Sequence, residues 1–345
     1  MIFPHFLVRE VSRGAYMIFN GTRSKAASFS EERGDNVFRG LTIVSSALVV
    51  VLLAGIVILL VSDSKESIVR FGSKFLLSTA WNPVQTQVNQ VTFGALPFIF
   101  GTIVTSLIAL LLATPISLGS ALFVSEYAPR WIGNPISFII ELLVAIPSVA
   151  YGLWGLFVLV PFMRSVVEPF LQNTLGKIPV IKLLFVGTPM GQDILTAGII
   201  LSIMIIPTIL SLSREIIAQV PKLQKEGMLA LGATKWEVLS KAVLPFARGG
   251  IVGSAMLGLA RAIGETMAVT MVIGNSSTKI TASLLTPGYT IASAIANQFT
   301  EADSAIYFSA VVELGLVLLL VASLFNIVSR LLVSRFTKLP GGASA

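Results

Sequence analysis

Residues 226–275 read EGMLALGATKWEVLSKAVLP, then FARGGIVGSAMLG, then LARAIGETMAVTMVIGN, three stretches that ask for different surroundings. The first is charged, amphipathic and closed by Pro245. From about 249 to 273 the chain is apolar enough for a membrane helix, yet Arg261 and Glu265 stand four residues apart in its middle. A charge at mid-bilayer depth costs about 2.5 to 3.5 kcal/mol on insertion scales and is kept mainly where it acts. An amphipathic segment thus leads directly into a helix with a charged pair. Such an order suits a device that couples an event outside the bilayer to a polar path within it.

Composition puts this stretch in an all-α, polytopic membrane protein. Of 345 residues, 54% are hydrophobic and 12% charged, more apolar surface than a soluble core accounts for. The net charge of +7 does not call for nucleic acid, because the basic residues flank the apolar runs, where membrane orientation explains them. With no cysteine and a single histidine, His5, the chain has no disulfide, no thiolate chemistry and no Cys/His metal site to offer. No cofactor is expected on it.

Working outward, residues 1–38 mix Arg9, Arg13, Arg23, Lys25 and Arg33 with Ser, Gly and acids. They read as a partly disordered polar tail without a signal-peptide core. Apolar runs follow at 41–61, 98–124, 135–160, 194–212, 249–273 and 305–328, each long enough to cross the hydrocarbon layer as a helix. Pro115 is expected to kink or end the second span, and Pro147 to kink the third. The third also carries Glu141 a turn or two inside the membrane, and the sixth carries Glu313. One six-helix domain therefore covers 39–335, with a long loop at 213–248 and a short tail at 336–345. Of the 24 Lys and Arg residues, 16 fall on the side of the two termini and 7 on the other, so both termini are expected in the cytoplasm.

Motifs exclude more than they assign. There is no G-x-x-x-x-G-K-[ST] phosphate loop, nucleophile elbow or H-E-x-x-H, so nothing here hydrolyses a nucleotide or a peptide by a known signature. Thr102, Thr105 and Ser106 share one face of the second span, either bonding a neighbouring helix or lining a pore. Within the long loop, helices over 224–231 and 235–243 must be joined at Gly232, a residue able to take φ > 0. The elbow so formed can insert as a knob into a partner. Arg261 offers a permanently protonated planar fork suited to a tetrahedral oxyanion, with Thr266 and Thr270 continuing a polar edge. Glu265 or Glu313 is its expected partner, in a substrate site or in a buried structural pair.

Glu226, Gly232 and Leu244–Pro245 stand in the register of the EAA loop of ABC importer permeases, E-A-A, three residues, G, nine residues, I-x-L-P. Gly227 and Met228 replace its alanines and Ala242 its isoleucine. LARAIGETMAVTMVIGN at 259–275, FGALPFIFGTIVTSLIALLLATP at 93–115 and AIPSVAYGLWGLFVLVP at 145–161 resemble the PstC type of phosphate permease, from about residue 36 to 330. Ala260 stands where that family usually has glycine.

The resemblance implies a type I ABC importer in a bacterial plasma membrane. A PstA-type permease would share the pathway with this chain, a PstB-type ATPase dimer would hold ATP and Mg, and a PstS-type binding protein would deliver phosphate. On that basis Arg261, Glu265, Thr266, Glu313, Thr102 and Ser106 are the candidates for the pathway. Glu226, Gly227, Gly232, Ala233, Trp236, Leu244 and Pro245 are those for coupling to the ATPase. A permease for sulfate or molybdate, and a proton-coupled transporter using Glu141, Glu265 and Glu313 as a relay, are the competing readings.

Overall fold

The computed structural model describes residues 25–84, 91–276 and 280–337, so the expected tails lie largely outside it. It is helical, with no strand among the described residues. The chain divides into two units, Met1–Leu59 and Leu60–Ala345. The first unit holds most of α1 (Lys25–Asp63), whose uncharged stretch makes the first membrane-length helix. Because α1 starts at Lys25, part of the expected polar tail is helical.

In the second unit, α2 (Lys65–Phe71) and α3 (Ser73–Leu77) precede α4 (Leu96–Leu122). A π turn, Phe123–Tyr127, prolongs α4. The helix runs through Pro115 instead of stopping there. After α5 (Arg130–Ala145) come α6 (Ser148–Lys177), α7 (Ile194–Ala218), α8 (Lys222–Ala230) and α9 (Lys235–Ile263). The chain closes with α10 (Met267–Val272), α11 (Ile291–Gln298) and α12 (Ala305–Thr337). Among the described residues six helices, α1, α4, α6, α7, α9 and α12, are long and apolar enough to span a membrane, as the composition requires.

Two spans differ from the sequence reading. The expected third span, 135–160, is two helices: Ile146 and Pro147 are extended, with ψ of 128° and 141°, because a residue before proline avoids the α region. Glu141 therefore sits on the short α5 and not inside a span, and α6 continues well past Val160. The expected fifth span, 249–273, begins earlier and ends sooner. α9 is continuous from Lys235, absorbing Pro245 by a π turn at Leu239–Val243, since proline has no N–H to give the preceding turn. It stops at Ile263, and α10 is a separate helix.

α7 is the central element, packed between α4 and α9. Against α4 it runs parallel: Gly198 meets Ile108, and Ser117 Oγ donates to the Ile206 carbonyl at 3.1 Å. Around its middle, Ile200, Leu201, Met204 and Ile205 pack with Met163 of α6 and Ala268, Val269 and Val272 of α10. An aromatic cluster of Phe75, Phe93, Phe98 and Tyr307, with Trp81 against it, fills the α11 end. At the opposite end Ile217, Val220, Val238, Leu239 and Val243 bury the base of the α8–α9 loop.

Candidate functional site

α7 and α9 are antiparallel, and the pairs across them keep one register. Ile216 faces Gly250, Ser213 faces Ser254 with 2.8 Å between hydroxyls, and Ile209 faces Gly258. Gly250, Ser254 and Gly258 recur every fourth residue, the small-residue seam that lets membrane helices close in. A Cβ at Gly258 would lie 2.6 Å from Ile209 Cγ1, and one at Gly250 would lie 2.7 Å from Ile216 Cγ2. One turn beyond the seam, Arg261 Nη1 donates to Oγ1 of Thr208 at 3.1 Å. Thr208 is fourteen residues into α7, or about 21 Å at 1.5 Å per residue, so the guanidinium lies near mid-span.

The face of α9 next to this seam is open. A Cβ at Gly253 would meet no described atom of another element within 4 Å, Leu257 is 58% exposed, and Ala260 and Gly264 are exposed. Steps of four, three and four place these residues on one face. Arg261 stands at the border between this stripe and the seam. Arg261 takes part in neither the Lys225–Glu126 nor the Lys241–Glu237 ion pair. Its bond to a neutral hydroxyl leaves donors of the fork for another acceptor.

The expected carboxylate partners are elsewhere. The helix break at Gly264 carries Glu265 out of the i+4 position, and Glu265 Oε1 instead accepts from the Ala268 N–H at 3.3 Å at the start of α10. Thr266 bonds the Gly264 carbonyl. Both remain partly exposed beside the break. Glu313 is 6% exposed on α12 beside Ser67 of α2, one turn past Ser309, whose Oγ accepts from the Ser67 N–H at 3.1 Å.

Thr102 and Ser106 are each 1% exposed and do not face an opening. Thr102 Oγ1 accepts from the Ile291 N–H at 2.9 Å, and a Cβ at neighbouring Gly101 would collide with the Tyr289 carbonyl. Thr102 is thus a fastening for α11, while Thr105 bonds the Gly101 carbonyl of its own helix and the Ser106 hydroxyl is buried without a partner among the described residues.

The elbow forms as expected. Gly232 has φ +84°, its N–H bonds the Leu229 carbonyl at 3.0 Å, and the Ala233 N–H bonds the Met228 carbonyl at 3.1 Å. These two bonds are a Schellman cap, which satisfies the last carbonyls of α8 and needs a left-handed residue at Gly232. Thr234 then starts α9 with a capping box to Glu237, a T-x-x-E signal visible in the sequence. Leu231 and Trp236 are 89% and 65% exposed, Glu226 and Gly227 are exposed, and Leu244 and Pro245 lie within α9. Beneath the elbow, Lys225 Nζ meets Glu126 Oε1 at 2.5 Å, joining α8 to the end of α4.

Sequence reading picks out Gly253, Gly258 and Gly264 as thinning the fifth span for close approach, of which Gly258 alone packs on α7. It misses Gly250 and Ser254, whose four-residue spacing with Gly258 is there to be seen, and Thr208, whose contact needs the helix register.

A family model described as "Binding-protein-dependent transport system inner membrane component" matches residues 113–338. The phosphate transport system permease protein PstC of Haemophilus influenzae is 47% identical over 313 residues, covering 91% of this chain and 97% of its own. This chain belongs to the PstC family. Its counterpart of the same description in Xylella fastidiosa is 46% identical over 311 residues, covering 90% of this chain and 94% of that one. A chain of the MetNI methionine ABC transporter, in an inward-facing conformation, superposes with a TM-score of 0.51 at 16% identity, over 70% of this chain and 95% of that one. At that identity the likeness speaks for the fold, which is the type I ABC importer permease fold. The PstC-family chain is accordingly a multi-pass transport component, and the elbow and Arg261 are to be understood as parts of a permease.

Proposed function

We propose that this chain carries inorganic phosphate across a bacterial plasma membrane as one permease subunit of an ATP-driven importer. Arg261 is the observation that carries this reading: a charged fork near mid-span, without an acid partner among the described residues, beside an open face of its own helix. Phosphate entering a constriction loses hydration, and a fixed guanidinium with two parallel donors offsets part of that loss. Thr208 holds the fork between passages, and a neutral hydroxyl releases it more readily than a carboxylate would. Glu265 and Thr266 border the same opening at the helix break.

A second, PstA-type permease covers the stripe of Gly253, Leu257, Ala260 and Gly264 and completes the passage. A PstB-type ATPase dimer, holding ATP and Mg, grips the knob around Leu231 and Trp236, and its motion passes through the buried base of the elbow to α4, α7 and α9. A PstS-type protein supplies phosphate from the other side. The 16 to 7 distribution of basic residues supports cytoplasmic termini.

The test is reconstitution of the chain with its partner permease and ATPase in liposomes. Phosphate is expected to stimulate ATP hydrolysis and to accumulate inside. Stimulation by sulfate or molybdate but not phosphate would reassign the substrate, and uptake driven by a proton gradient without ATP would overturn the mechanism.

A further inference from the structure

A cavity of about 580 Å³ opens where the ends of α4 and α7 meet α5 and α8. It lies at headgroup level whichever side of the membrane it faces, since Glu126 is next to last in its span and Arg214 lies in the last five residues of the other. Its charges are divided between walls. Arg214 comes from the end of α7 and Lys222 from α8, while Glu141 comes from α5. Lys225 and Glu126 neutralise each other at 2.5 Å.

The side chains of Arg214, Lys222 and Glu141 form no ion pair within 4.0 Å and no hydrogen bond with any described residue. Unlike charges that share a chamber without touching leave room for an occupant bearing both signs. The wall also carries Ser125, whose hydroxyl is buried and unpartnered. Phe138, 62% exposed, adds an apolar side, and α5 extends it with exposed Trp131, Ile139 and Leu142.

We propose that this cavity binds the headgroup of an amino-phospholipid. The phosphodiester lies on Arg214 and Lys222, the ammonium meets Glu141, and the acyl chains follow the exposed side chains of α5. A guanidinium gives the phosphate two parallel donors, and the carboxylate distinguishes a primary amine from a glycerol or a choline. Free phosphate presents the same anionic oxygens, and the lipid is separated from it by the amine and the chains.

The full-length chain, purified in nanodiscs of mixed phosphatidylcholine, phosphatidylglycerol and phosphatidylethanolamine, is released into the gas phase and its retained lipids are weighed. Phosphatidylethanolamine is expected to be retained over the other two. Glu141→Gln should abolish its advantage over phosphatidylglycerol, and Arg214→Gln and Lys222→Gln should each weaken retention about fivefold, the effect of one basic residue at a lipid surface. Lys222 is exposed on α8, so its variant reports on binding even if Arg214→Gln folds poorly. Equal retention of the three lipids, a preference for phosphatidylglycerol that Glu141→Gln leaves unchanged, or a cavity occupied by added inorganic phosphate in place of lipid would each overturn the proposal.

Discussion

Arg261 and Thr208 are joined across α9 and α7 by a single hydrogen bond of 3.1 Å. A cation near mid-span is thereby held by a neutral partner. A carboxylate there would compete with an entering anion, whereas a hydroxyl gives way at little cost.

Arg261→Gln is expected to lower phosphate uptake by about ten- to a hundredfold, the worth of roughly 1.5 to 3 kcal/mol for a hydrogen bond to a charged group. Arg261→Lys should fall between that variant and the wild type, because an ammonium keeps the charge but loses the planar fork. Thr208→Val removes a charge-assisted bond that an entering phosphate would itself displace, so uptake should stay within about fivefold even though the resting position of the guanidinium is loosened. Radiolabelled phosphate uptake at matched membrane levels measures all three. Near-normal uptake by Arg261→Gln would make the arginine scaffold.

The seam can be tested apart from transport. Gly258→Ile places branched atoms where Ile209 already stands, and overpacking of this kind costs about 1 to 3 kcal/mol. Gly253→Ala, on the open face, should not destabilise the isolated chain and should gain up to about 1 kcal/mol, because alanine is the better helix former. Thermal unfolding in detergent, followed by tryptophan fluorescence, compares them, and equal losses would contradict the α7–α9 register.

At the elbow, Gly232→Val forces a β-branched residue to a φ of +84°, where L side chains pay roughly 1 to 2 kcal/mol. Uptake and phosphate-stimulated ATP hydrolysis should both fall while the protein still inserts. Gly232→Asn, which tolerates the left-handed region, should recover much of the activity. A fully active Gly232→Val would remove the elbow from the coupling path.

Because the chain lacks cysteine, single cysteines report topology without background. Thr79 and Thr300 are exposed between spans, Thr174 is exposed in the last turn of α6 at the same side, and Ser334 is exposed near the other end. In intact cells, an impermeant maleimide should label the first three at once and Ser334→Cys only after permeabilisation. The reverse pattern would invert the orientation drawn from the charge distribution.

Hydropathy alone made the membrane class and six crossings legible, because apolar runs of that length have no other stable place. The φ > 0 elbow was equally legible, since a glycine between two short helical patterns has one economical role. Both are local properties of the chain. The third span was misread for the same reason: Glu141 is the one charge in 135–160, so hydropathy could not tell one long helix from α5 followed by α6. The break itself falls at Pro147, which keeps Ile146 out of the α region, and packing fixes where α6 then lies, with Gly152 and Gly155 seated against Ala268 and Val272.

The i+4 spacing of Arg261 and Glu265 made a pair only on an unbroken helix. Once α9 stops at Ile263, the carboxylate caps α10 and the guanidinium turns to Thr208, a residue 53 positions away. Sequence therefore determined which residues are charged and roughly how deep they lie. Tertiary structure decided what each one touches, because a helix break of three residues and a seam of small side chains set the register between helices, and register is not a property of either helix alone.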